Sequence, residues 1–182
     1  MMRPPPKPRA AVSPIAIRLN APSKHLRNFI ARTPDPAARA NLQQTLAAQP
    51  ALMDIISADV RAYGFDPHNV ADVYAVWWIN VWGASQKQNI EPDPATVEAV
   101  KRQVRSTPAA TPDFAEASDA ERQEFAEALL LQAAILGSGL DQWESDPKML
   151  EQLAKASRQG ALASGLDLTR MTLTPDGFVS CR

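Results

Sequence analysis

Apolar residues recur at helical spacing along most of the chain, most clearly over residues 69–82, NVADVYAVWWINVW. Val70, Val73, Tyr74, Trp77, Trp78, Val81 and Trp82 fall at i, i+3, i+4, i+7, i+8, i+11 and i+12. That spacing predicts a helix with one wide apolar face. Three of the four tryptophans lie in this stripe, so it is expected to form the centre of the core. Asn69 is placed to cap the helix, and Asp72 falls in its first turn, where the positive end of the helix dipole favours a carboxylate.

Other stretches carry the same signature. Ala37–Ala48 places Leu42 and Leu46 four apart, and Ala51–Tyr63, opened by Pro50 and closed by Gly64, places Leu52, Ile55, Ile56 and Val60 on one stripe. Asp93-Pro94 opens a helix whose Val97, Val100 and Val104 face inward and whose Lys101, Arg102 and Arg105 suit its negative end. Ser118-Asp-Ala-Glu121 is a capping box at the head of Asp119–Leu136, with Phe125, Leu129, Ile135 and Leu136 on the buried side. Gly137-Ser138-Gly139 either ends this helix or weakens it before Trp143, which stands as the more exposed aromatic. Asp146-Pro147 opens a last helix with Met149, Leu150 and Leu153 inward, and its Ala156, Gly160 and Ser164 would let another helix approach closely. Gly165-Leu166 reads as its C-cap, and TLTPDGFV as a short extended return about a Pro-Asp-Gly turn. Nothing from 37 to 165 alternates with period two. The expected fold is all-α: a single bundle of about six helices over residues 37–182.

Residues 1–36 differ from the rest. Eight of the 16 prolines lie there, which favours extended chain with at most short helical turns. One such helix is Ser23–Arg32, with Ser23 as cap and Leu26, Phe29 and Ile30 inward. The formal net charge of −1 conceals an asymmetry. Residues 1–39 hold eight basic side chains against Asp35 alone, whereas the remainder holds eleven basic and nineteen acidic ones. A basic arm on an acidic body can grip an acidic partner, a nucleic acid or an anionic membrane surface, or fold back on its own body. Solvation or self-docking is the commoner fate of such a run.

Catalytic signatures are absent from the sequence. His25 and His68, 43 residues apart, have no second ligand at helical spacing, and no zinc, phosphate-loop or nucleophile-elbow motif occurs. Cys181 is the lone cysteine, which rules out an internal disulfide and fits a reducing compartment. Glu121, Glu124 and Glu127 step along one helix and could share acid–base work if one were desolvated. In the first half of a helix beside Arg122, a solvated, dipole-complementing face is the simpler reading. The aromatic stripe reads as core rather than as a cofactor platform, and Asn80 beside it could bond a neighbouring helix. No cofactor, metal ligand or catalytic residue is expected.

Four stretches, NVADVYAVWWINVW (69–82), VEAVKRQVR (97–105), SDAERQEFAEALLLQAAIL (118–136) and LDLTRMTLTPDGFV (166–179), together resemble an uncharacterised bacterial family known only as a domain of unknown function. The resemblance spans roughly residues 65–179. It implies a bacterial source and an all-α fold, and carries no residue role with it. Members of that family often begin with a secretory signal, a pattern this chain departs from: as written it reads as cytoplasmic, with a periplasmic or secreted location as the alternative.

The sequence therefore points to a non-enzymatic helical interaction or scaffold module tethered by a basic arm. Its candidate contacts are Arg3, Lys7, Arg9 and Arg18, and its expected partner is a protein. An enzyme using Glu124 and Glu127 in a cleft is the second reading, and nucleic-acid binding by the arm, which lacks interleaved aromatics, is the third. No apolar run is long enough to span a membrane. Self-association through the Ala156/Gly160/Ser164 face fits each reading.

Overall fold

The computed structural model describes residues 24–106 and 117–181. Among them are seven α-helices: α1 Lys24–Ala31, α2 Pro36–Ala48, α3 Leu52–Ala62, α4 Val70–Gln86, α5 Pro94–Ser106, α6 Asp119–Gln142 and α7 Pro147–Ala163. A 3-10 turn, Leu168–Arg170, leads into a hairpin of β1 Met171–Thr174 and β2 Gly177–Ser180. The fold is helical, as the periodicity predicts. Arg3, Lys7, Arg9, Arg18 and Ser23, and the side chains of His25 and Phe29, lie outside the described residues.

The sequence caps do what their chemistry suggests. Asn69 accepts from the N–H groups of Ala71 and Asp72 at 3.0 and 3.4 Å, and Asp93 from those of Ala95 and Thr96 at 2.8 and 3.0 Å. Ser118 and Glu121 close a reciprocal capping box, and Asp146 caps α7 through Lys148 and Met149. Each satisfies helix N–H groups that have no intrahelical partner.

Helix α4 is the centre, packed by α5, α6 and α7. Its stripe is only part of its buried surface, because Ala75, Val76 and Ile79 on other faces are buried as well. A helix covered nearly all round is the limit of the wide-face pattern. Two indoles find partners: Trp77 Nε1 donates to Gln132 Oε1 at 3.2 Å, and Trp82 Nε1 to the Met171 carbonyl at 3.1 Å. The buried Trp78 Nε1 finds none among the described residues.

The hairpin closes one end of the core. Phe178 sets its ring edge-on to Trp78 and Trp82 at 5.8 and 6.1 Å. Gln103 on α5 grips its backbone at both ends, donating from Nε2 to the Phe178 carbonyl and accepting from the Phe178 N–H, each at 2.7 Å. Gly177, at φ +96°, makes room for this grip; a Cβ there would lie 2.5 Å from Gln103 Oε1. Helix α1 packs on α6 and α2 and buries Leu26 and Ile30 completely or nearly so.

Several sequence expectations fail in instructive ways. Ile55 and Ile135 are 59% and 44% exposed, because α3 and α6 bury narrower faces than their apolar stripes cover. Helix α6 runs through Gly137-Ser138-Gly139 to Gln142, and Trp143 folds back over Gly139, half-buried rather than exposed. On α7 the close-packed small residues are Ala154, Ser157 and Ala161, whereas Ala156, Gly160 and Ser164 face outward.

Candidate functional site

A cleft of about 360 Å³ opens between α3, α4, α6 and the loop after α4. Its floor is apolar: Val60 and Phe65 come from the α3 end, Val76 and Ile79 from α4, and Leu130 and Ala133 from α6. Its rim is polar, with Asp59 and Tyr63 on the α3 side, Asn80 from α4, Asn89 from the loop, and Ser138 and Asp141 from α6. No lysine, arginine or histidine lines it.

The loop wall depends on a glycine. Lys87 takes the left-handed conformation at the end of α4, with φ of 61°, and turns the chain back over that helix. Gln88 N–H then donates to the Gly83 carbonyl at 3.0 Å. A Cβ on Gly83 would lie 2.7 Å from the Gln88 oxygen and 2.8 Å from Ile90 Cγ1, so only glycine admits this approach without displacement. Asn89 fastens the loop to α6 by donating to Asp141 Oδ1 at 2.9 Å.

A buried ion cluster outside the cleft lining holds the segment that carries Phe65. Asp72 is 2% exposed and meets Arg105 Nη2 at 2.8 Å and Lys101 Nζ at 3.2 Å. It also accepts from the Asp66 N–H at 3.1 Å. Lys101 reaches on to the Gly64 carbonyl at 3.1 Å and Glu98 at 2.8 Å, and lies 5.9 Å over the Phe65 ring. Burial alone would lower the Lys101 pKa; its bonds to Glu98 and Asp72 outweigh that and raise it. The cluster thereby fixes residues 64–66, including Phe65 of the cleft floor. The helix-dipole reading of Asp72, Lys101 and Arg105 therefore misses their main role, which is to pair across elements.

Electrostatics at the mouth are negative. The Tyr63 phenol is pushed above its ordinary pKa by partial burial first, then by the charges of Glu91 and Asp59. Asp59 and Asp141 have no cationic partner among the described residues, whereas Asp72 and Glu151 each have two. Asn80 donates from its amide nitrogen to the Val76 carbonyl at 2.9 Å within its own helix, leaving Oδ1 turned toward Gly137. The arrangement can seat an apolar body and accept hydrogen bonds at its rim.

The glutamate series does not form this site. Glu121 belongs to the cap, where the Ser118 hydroxyl and N–H hold its carboxyl below the usual range. Glu124 pairs with Arg32 at 3.3 Å. Glu127 is 1% exposed and accepts from Gln123 at 2.8 Å, so the expected solvated face is wrong for this residue. Neither Glu124 nor Glu127 lines the cleft. His68 Nε2 meets Arg61 at 3.0 Å, and the exposed Cys181 thiol lies 2.8 Å from the Thr172 hydroxyl. Among the described residues, no group of three His, Cys, Asp or Glu could hold a metal, and no helix is long and apolar enough to cross a membrane.

The sequence reading misses the cleft, whose parts lie up to eighty-five residues apart in the chain. Glycine inside the apolar Trp82-Gly83-Ala84 run is the one local signal, since a mid-helix glycine often marks close backbone approach. No curated protein and no solved structure matches the chain. Residues 60–180, which carry most of the cleft, match the model of a family described as a family of unknown function, DUF6683. The chain therefore belongs to family DUF6683.

Proposed function

We propose that this protein is a non-enzymatic helical interaction module: the bundle recognises through its cleft, and the basic, proline-rich residues before α1 tether a protein partner through Arg3, Lys7, Arg9 and Arg18. The cleft carries this reading. It combines an apolar floor with a hydrogen-bonding rim, the make-up of recognition sites. It lacks an imidazole or amine to activate the Ser138 hydroxyl. The exposed single thiol is in keeping with a reducing, cytoplasmic setting of a bacterial cell.

The test is affinity capture from the source cells with three baits: the full chain, a chain beginning at Lys24, and Ser138→Trp, which fills the cleft from an exposed helix position. The truncation stops before Lys24 because Leu26 and Ile30 belong to the core. A partner held by the full chain, weakened by truncation and lost with Ser138→Trp supports the reading. Identical captures by all three baits overturn it.

Catalysis by Glu124 and Glu127 is the second reading, favoured only by the burial of Glu127. It requires an activity that Glu127→Gln removes without lowering thermal stability.

A further inference from the structure

The cleft has a chemical bias that goes past interaction in general. At about 360 Å³ it sits near the small end of the range for small-molecule sites, about 300–1,000 Å³. Its two carboxylates have no cationic partner among the described residues, and no basic side chain lines the cavity. Other exposed carboxylates, such as Asp54 and Glu144, also have no ion pair among the described residues; the cleft differs in setting two of them beside an apolar cavity that no basic side chain lines. An anion entering here would be repelled, whereas a cation would be drawn to Asp59 and to the charge of Asp141, which also accepts from Asn89.

We propose that the cleft binds a small organic cation, a primary ammonium on an apolar body, with the body on Val60, Phe65 and Ile79 and the charge toward Asp59 and Asp141. Asn80 Oδ1 supplies a neutral acceptor for an ammonium N–H. The Tyr63 ring at the rim offers a face on which a cation is stabilised by the ring quadrupole. The Tyr63 pKa is raised by partial burial first, and the charges of Glu91 and Asp59 add to it in the same direction. This inference rests on the cleft being the recognition site.

The experiment is an amide-shift titration of the full, 15N-labelled chain with 2-phenylethylammonium and, separately, with its neutral counterpart 2-phenylethanol. The ammonium should shift the amides of Asp59, Asn80, Asn89 and Asp141, saturating with a Kd of about 1 mM or tighter. It should bind at least about 5-fold more tightly than the alcohol at low salt, with the gap narrowing as salt screens the exposed carboxylates. Asp59→Asn with Asp141→Asn, both at exposed positions, should level the two ligands. Equal binding of both ligands by the unaltered chain overturns the cation assignment and leaves the cleft as a recognition site. Binding of neither overturns it too, and if Ser138→Trp also leaves capture unchanged, the recognition reading falls with it.

Discussion

Replacing Asp72 by Asn keeps the size of the side chain and removes the charge on which two cations converge. Asparagine Oδ1 can still accept from the Asp66 N–H, so the loss isolates the ionic part. Breaking a buried ion pair by removing one partner costs about 3–5 kcal/mol, because the other charge is left uncompensated. Two features reduce that here. Lys101 retains Glu98 and the Gly64 carbonyl, and the Arg105 side chain, 49% exposed, can turn to water. The expected loss is therefore about 2–3 kcal/mol, or roughly 5–10 °C in Tm for a chain of this length. Urea unfolding followed by tryptophan fluorescence should show a lower midpoint at unchanged slope. In a double-mutant cycle, Asp72→Asn and Lys101→Met should couple by about 1–3 kcal/mol, whereas Arg105→Ala alone should cost under about 1 kcal/mol. A loss below about 0.5 kcal/mol for Asp72→Asn, or no coupling to Lys101, would refute the argument that this cluster holds residues 64–66 in place.

Trp78→Phe should cost less than about 1.5 kcal/mol, since it removes a buried N–H that has no acceptor, whereas Trp78→Ala should cost about 3–5 kcal/mol by opening a cavity. Equal costs in urea titrations would contradict the description of that indole. Gly177→Ala should destabilise by about 2–4 kcal/mol, from left-handed backbone strain and loss of the Gln103 grip. Hydrogen exchange should then reveal a Phe178 amide that has lost protection, and a still-protected amide would count against the clamp. The pKa of Lys101 is raised in the folded state, so its stabilisation is complete below the unfolded value of about 10.4 and is lost as pH rises through the higher folded value. The stability advantage over Lys101→Met should hold from pH 7 to 9 and shrink above about pH 10.5; a constant advantage up to pH 12 would argue against the raised value.

What could be read from the sequence was local. Asn69, Asp93, Ser118, Glu121 and Asp146 act within four residues of themselves, so their capping roles follow from the sequence alone. The tryptophan stripe was legible because a helix with that many large apolar side chains must be enclosed. Periodicity places Ile55 and Ile135 inward because it says which residues share a face, not how much of that face a neighbour covers. Asp72 and Lys101 lie 29 residues apart and meet only because α4 and α5 pack together. Dipole reasoning, which sees one helix at a time, gave each a plausible separate role. The same blindness applied to Glu127, whose burial is set by what packs onto α6. The cleft was hidden for a compound reason, since it needs the Gly83 approach, the Asn89–Asp141 tie and the ion cluster at once. The arm contacts Arg3, Lys7, Arg9 and Arg18 rest on charge alone.

Recognition through the cleft is tested most directly by a hydrogen-exchange footprint of the full chain with and without its captured partner. Cleft-mediated recognition predicts new protection on residues 56–63, 87–92 and 133–141, three of the segments that contribute to the cleft lining. Protection confined to α7 or the hairpin, with those three segments unchanged, would contradict it.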